Sequence, residues 1–191
     1  MKRELVLASS SPRRQQLLSA AGISFRVQAA NVPEEIKLGE SPRQFSERLA
    51  HEKAEAIAKL LPASFVLGAD TIVVVDEQVL GKPVDADDAR RMLRLLSGRR
   101  HQVLTSVCLL GDGVRDVRTE LTEVHFVEVT DREIAEYITT GEPMDKAGAY
   151  GIQGIASRWI PRIEGCYFNV VGLPVALVYQ MLKRAGVVTN V

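Results

Sequence analysis

A mixed α/β fold, with a β-sheet flanked by helices, is predicted by three observations on this 191-residue chain. Apolar runs of strand length alternate with capped amphipathic stretches, the pattern of strands joined through helices. The longest run, Phe65 to Val75, lies between Pro62 and Asp76-Glu77 and reads as a central strand. Gly111-Asp112-Gly113 separates two further strand-like stretches, Gln102 to Leu110 and Val114 to Val129, and marks a hairpin. With 46% hydrophobic residues the chain can bury one substantial core, so a single domain over residues 1–191, or two tightly joined lobes, is expected.

The first element is a short strand, Leu5 to Ala8. Ser9, Ser10 and Ser11 then turn the chain into a helix, with Ser11 as N-cap, Pro12 at the first helical position, Leu17, Leu18 and Ala21 on the apolar face and Gly22 as the stop. Helix N-termini favour acidic residues, yet Arg13 and Arg14 occupy this first turn. Two cations there make sense if a phosphate is held by N–H groups, hydroxyls and guanidinium forks together. The competing reading turns both arginines toward solvent or distant carboxylates.

Phe25 to Ala29 reads as a second strand, followed by the acidic loop Asn31-Val32-Pro33-Glu34-Glu35. Ser41-Pro42 opens the next helix, and Gln44 completes a capping box. Phe45, Leu49, Ile57 and Leu61 recur at four-residue steps, and Lys53 fills the remaining step. Lys53 is therefore a cation on the buried stripe, or one whose stem packs while its head reaches water. Asp70 interrupts the central strand. A buried carboxylate is costly unless paired or bound to metal, so Asp70 either has a partner or faces solvent. Gly68 allows a bend or a close approach beside it.

Val79-Leu80 leads to Gly81-Lys82-Pro83, and Asp85 caps a helix with Ala89, Met92, Leu93 and Leu96 on its apolar face, ended by Ser97-Gly98. Thr130 with Glu133 forms a capping box for a helix stopped at Gly141. Glu142 to Gly154 is glycine-rich and reads as a loop. Trp159 to Ile163 returns to strand, and Glu164 to Pro174 leads into a last helix from Val175 to Ala185. His51, His101 and His125 lack ligand-spaced neighbours and are read as surface or strand residues, and Cys108 and Cys166 as reduced structural thiols.

The formal net charge is zero and the basic residues are dispersed, which argues against a nucleic-acid binder. No apolar run approaches the ~20 residues of a membrane span, and MKRELVLASSSPRR lacks a long hydrophobic leader segment, so a soluble cytoplasmic protein without membrane partners is expected.

Taken in order, LASSSPRR, GADT, GKP, LSGRRH, EPMDKAGAYGIQG and IEGCYFNVVGLP resemble the Maf family of nucleoside triphosphate pyrophosphatases over nearly the whole chain. The resemblance implies an elongated mixed β-sheet flanked by helices, two lobes with a central cleft, and hydrolysis of a nucleoside triphosphate to monophosphate and pyrophosphate. GAYGIQG is similar to the branch acting on dTTP and UTP. The resemblance also implies a divalent cation, Mg2+ or Mn2+, near Glu35 and Asp70, with Asp70 as general base. By the same likeness, Ser9, Arg14, Lys53 and Lys82 surround the phosphates, and Arg13, Thr71 and Gln153 govern substrate choice. A homodimer and links to septum formation and to removal of non-standard nucleotides belong to the same inheritance. Glu34 and Glu35 can exchange roles, and any hydroxyl of Ser9 to Ser11 can meet phosphate. A non-catalytic nucleotide-binding regulator of septum formation, or a phosphatase releasing orthophosphate, would use similar parts.

Overall fold

The computed structural model describes residues 4–188. Its strands are β1 (Leu5–Leu7), β2 (Arg26–Val27), β3 (Phe65–Val75), β4 (Gln78–Leu80), β5 (Arg100–Gly111), β6 (Val114–His125) and β7 (Arg162–Glu164). Its helices are α1 (Pro12–Ala20), α2 (Pro42–Ala58), α3 (Ala86–Leu96), α4 (Asp131–Thr139), α5 (Tyr167–Val171) and α6 (Val175–Arg184). The strands form one seven-stranded mixed sheet in the order β2-β1-β3-β5-β6-β7, with β4 on β3. β1 is parallel to both neighbours, with Val6 opposite Arg26 and Val66. β4 folds back antiparallel on β3, pairing Val74 with Val79, and β7 pairs antiparallel with β6, Val124 opposite Ile163.

The local signals act where the residues place them. Ser11 accepts from Arg14 N with Pro12 opening α1, and both halves of the capping box form at Ser41/Gln44 and at Thr130/Glu133. Some boundaries differ from the sequence expectation. The second strand shrinks to Arg26–Val27, and Ala21 is an exposed C-cap residue instead of part of an apolar face. β6 ends at His125, beyond which Val129 N donates to Ser97 Oγ at 2.7 Å instead of extending the strand. The glycine-rich stretch contains short 3-10 turns at Glu142–Asp145 and Ala147–Ala149, and another turn, Ile155–Trp159, delays the return to strand until Arg162. The five-residue helix α5 has no counterpart in the sequence pattern.

The chain condenses into two compact units. The first holds the residues up to Asp70, Thr105–Glu120 and those from Gly172 onward; the second holds Thr71–Leu104 and Leu121–Val171. In the first, Val6, Ala8 and Val66 pack with Ala50, Ala54 and Ile57 of α2. Helix and strand come so close that a Cβ on Gly68 would strike the Ala50 carbonyl and lie 2.7 Å from Ala54 N. Glycine at 68 is thus required by the close approach. No helix among the described residues is long and apolar enough to cross a membrane.

The second unit packs Met92, Leu93 and Leu96 of α3 with Ile134 and Tyr137 of α4 and with Phe126, Tyr150 and Trp159. His101 lies inside this aromatic group, 3% exposed, with Nε2 2.7 Å from Tyr150 Oη and edge-on contacts to Phe126 and Tyr150. Burial, reinforced by His125, pushes the imidazole down to about 3. The unfolded chain therefore takes up a proton near pH 6.5 that the folded chain refuses until about pH 3. Stability is full above the unfolded value and falls as the pH drops, by about 2 kcal/mol between pH 7 and pH 5 from this group. Urea unfolding of the parent and His101→Phe at both pH values checks it: the variant should lose most of this pH-dependent difference, and an unchanged difference would place its source elsewhere.

Candidate functional site

Two stretches converge in the first unit: the turn into α1 and the middle of β3. Asp70 is 5% exposed, and its Oδ1 accepts from Lys53 Nζ at 2.7 Å. Lys53 projects from the packed face of α2 because its position continues the apolar stripe. Its ammonium also pairs with Glu34 at 2.7 Å and is buried, so it does not snorkel. Ser46 Oγ donates to the Asp70 backbone carbonyl at 3.4 Å. Asp70 Oδ2 is buried and has no hydrogen-bond partner. One carboxylate oxygen is held by Lys53 while the other lies buried without a hydrogen-bond partner.

Arg14 has a task that its position in the first turn did not reveal. Its Nε donates to Gly172 O at 2.8 Å, and Nη1 donates to Ala69 O at 2.9 Å and to Ser9 Oγ at 3.1 Å. The side chain joins α1, β3 and the segment before α6 through buried hydrogen bonds. Burial lowers the Arg14 pKa, and the nearby Asp70 and Glu34 charges oppose that shift. Ser9 is also buried and accepts from Ser11 N at 3.3 Å. Arg13 is half-buried.

The acidic loop is ordered from outside. Arg48 binds Glu40 through two nitrogens, at 2.6 and 2.8 Å, and donates to the Glu35 backbone carbonyl at 2.8 Å. The Arg48 hydrogen bond holds the Glu40 carboxyl down at about 2. Glu34 and Glu35 are both exposed, and Glu34 reaches Lys53. Of the two interchangeable glutamates, Glu34 is the one beside Asp70.

In the second unit, Gly148 N donates to Gly81 O at 3.0 Å, tying the glycine-rich loop to the segment bearing Lys82. Lys82 and Gln153 are exposed and Thr71 is half-buried. Residues 4–185 match the family described as Maf-like protein. The chain belongs to the Maf family. This Maf chain is 60% identical over 183 residues to the dTTP/UTP pyrophosphatase of Koribacter versatilis (strain Ellin345), covering 96% of this chain and 95% of that one. It is 52% identical over 187 residues to the dTTP/UTP pyrophosphatase of Syntrophomonas wolfei subsp. wolfei (strain DSM 2245B / Goettingen), covering 97% and 98%. It is 50% identical over 184 residues to the enzyme of the same description from Geobacillus sp. (strain WCH70), covering 96% and 99%. The Maf match spans residues of both compact units.

The side chains are compatible with a divalent cation. In the first unit, Asp70 Oδ2 is an orphaned buried carboxylate oxygen, and Asp70 and Glu34 offset the charges of Lys53 and Arg14. A triphosphate adds several negative charges, so a further cation suits that place. A second group, Glu123, His125 and Glu164, brings three ligand atoms within 4.8 Å of one another in the second unit. This corrects the reading of His125 as lacking a ligand-spaced neighbour. Glu123 and His125 are two apart on β6, hence on one face, and Glu164 lies directly opposite Glu123 on β7. The Glu-x-His spacing was legible in the sequence; the crossing strand was not.

Proposed function

We propose that this chain hydrolyses dTTP and UTP to the nucleoside monophosphate and pyrophosphate. The reading is supported by the relatives' activity and is carried by Asp70, whose one oxygen is fixed by Lys53 while the other has no hydrogen-bond partner. In this mechanism Asp70 Oδ2 accepts a proton from a water molecule whose oxygen attacks the α-phosphorus in line. The new P–O bond forms as the bond to the bridging α–β oxygen breaks, and pyrophosphate leaves with the electron pair. Lys53 holds the Asp70 carboxylate in orientation. Ser9, Arg14 and Lys82 supply hydrogen bonds and positive charge to the phosphates, Lys82 offsetting charge on the leaving group. Mg2+ or Mn2+, held by Asp70 with Glu34 or Glu35, would neutralise phosphate oxygens and polarise the α-phosphorus.

Arg13, Thr71 and Gln153 belong to substrate choice. The Gln153 amide offers a donor and an acceptor side by side, matching O4 and N3–H of uracil or thymine. A glutamate in its place would repel O4, so Gln153→Glu is expected to lower kcat/KM for UTP by about ten- to hundredfold, the effect of about 1–3 kcal/mol for a hydrogen-bonding group left unpaired against the bound base. The reading extends to a cytoplasmic homodimer that clears non-standard nucleotides and needs neither nucleic acid nor membrane.

Incubation with a panel of nucleoside triphosphates and Mg2+ or Mn2+, with products resolved by ion exchange, tests the reaction. Monophosphate and pyrophosphate from UTP and dTTP are expected. Orthophosphate and diphosphate would move the chemistry to the terminal phosphate, and no turnover would make the chain a nucleotide-binding regulator.

A further inference from the structure

The turn that carries Gln153 is pinned by a carboxylate with no part in the chemistry above. Glu142 Oε1 accepts from Tyr137 Oη at 2.9 Å, and its Oε2 accepts from Ile155 N at 3.2 Å. Tyr137 is 1% exposed and packs edge-on against Trp159, with centroids 5.1 Å apart. Glu142 is therefore suspended from the core of its unit. Burial, and then the bond to Glu142, raise the Tyr137 phenol pKa, so the phenol remains a donor at neutral pH. Lys146 Nζ donates to the Glu142 backbone carbonyl at 2.6 Å and pairs with Asp145 at 2.7 Å.

The glycines on either side of Gln153 record the same arrangement. Gly154 N donates to Gly151 O at 3.1 Å, closing a turn over Ile152 and Gln153. A Cβ on Gly151 would lie 2.7 Å from Lys146 Cε, and a Cβ on Gly154 would run into the Glu142 carboxylate. Gly154 has φ −105, a conformation open to any residue, so its lack of a side chain answers to the space that Glu142 fills and not to backbone strain.

We propose that Glu142, hung from Tyr137 and gripping Ile155 N–H, is the positioning residue that sets where Gln153 points, and so is a determinant of base selectivity. Lys146 is a brace under the same turn. The inference rests on reading Gln153 as the residue that meets the base. Loss of Glu142 releases Ile155 N–H and lets the turn move, which weakens the paired contacts to uracil while leaving the chemistry at the phosphates in place.

The test measures kcat/KM for UTP and CTP, with the folded fraction followed by thermal melts. The proteins are the parent, Gln153→Glu, Glu142→Ala, Glu142→Gln, Gly154→Ala and the double variant Glu142→Ala/Gly154→Ala. Glu142→Ala is expected to reduce the preference for UTP over CTP by about tenfold, as for loss of one well-placed hydrogen bond. Glu142→Gln, which keeps one acceptor oxygen, should fall between it and the parent. Gly154→Ala should match Glu142→Ala by pushing the carboxylate away, and should add little in the double variant, where the methyl group finds vacated space. If Glu142→Ala is too unstable to assay, Gly154→Ala carries the comparison. An equal loss for UTP and CTP in both single variants, with Gln153→Glu still changing the preference, would reduce Glu142 to a structural residue and overturn the proposal. An unchanged preference in Gln153→Glu would instead overturn the reading of Gln153 on which it rests.

Discussion

Asp70→Asn is expected to lower kcat/KM for UTP by about a thousandfold, within the ~10²–10⁴ that a positioned general base contributes. Asparagine keeps the volume of the side chain and an acceptor oxygen for Lys53, but its amide cannot take a proton from water. Lys53 also stays paired with Glu34, at 2.7 Å, so the substitution leaves no buried ammonium without a carboxylate. The variant should therefore melt within a few degrees of the parent, which separates a lost base from a lost fold. Steady-state kinetics beside a thermal melt decide the matter. A variant that retains a tenth of the parent activity would place the base on another group.

Arg14→Met is expected to destabilise the fold by about 3–5 kcal/mol, the range for removing one member of a buried charged network. Methionine fills much of the same space but donates nothing. The carbonyls of Ala69 and Gly172, at 2.9 and 2.8 Å from the guanidinium, would lose a charged donor where water cannot replace it. The residues joined in this way lie far apart in sequence, Arg14 and Gly172 being separated by 158 positions, so the loss should be felt across the first unit. In a chain of 191 residues a change of this size lowers Tm by roughly 10 °C. Arg14→Lys should recover only part of it, because one ammonium cannot reproduce the planar fork that reaches three acceptors. Urea unfolding of the three proteins measures the effect, and a lysine variant as stable as the parent would show that the fork geometry is dispensable.

Arg14 also shows how a local inference leaves the structural partners of a residue unseen. Two cations in the first turn of α1 oppose the helix dipole and call for compensation. For Arg14, backbone carbonyls and Ser9 provide part of that compensation. Lys53 is the opposite case: its place on the apolar stripe of α2 could be seen in advance, and the buried pairing with Asp70 gives the reason for it. Asp70 needed a partner because a charge inside an apolar strand is costly alone. Which residue would provide it could not be read from the strand itself. The second strand is shorter than its apolar pattern predicts because its edge position gives it only two paired residues.

The sequence by itself determined every helix but α5, the caps of α1 to α4, the long central strand, the Gly111-Asp112-Gly113 hairpin and the ordered motifs of the Maf family. These signals are local: a cap, a turn glycine or an apolar period is set by residues within a few positions of one another. Only the tertiary structure decided that Lys53 meets Asp70 across 17 positions, and that Glu34 instead of Glu35 shares that lysine. It likewise decided that Glu142 grips the backbone of Ile155, and that Glu123 and His125 face Glu164. Each of these contacts depends on where the folded chain returns in space, which the burial of distant apolar faces fixes and no single stretch of residues encodes.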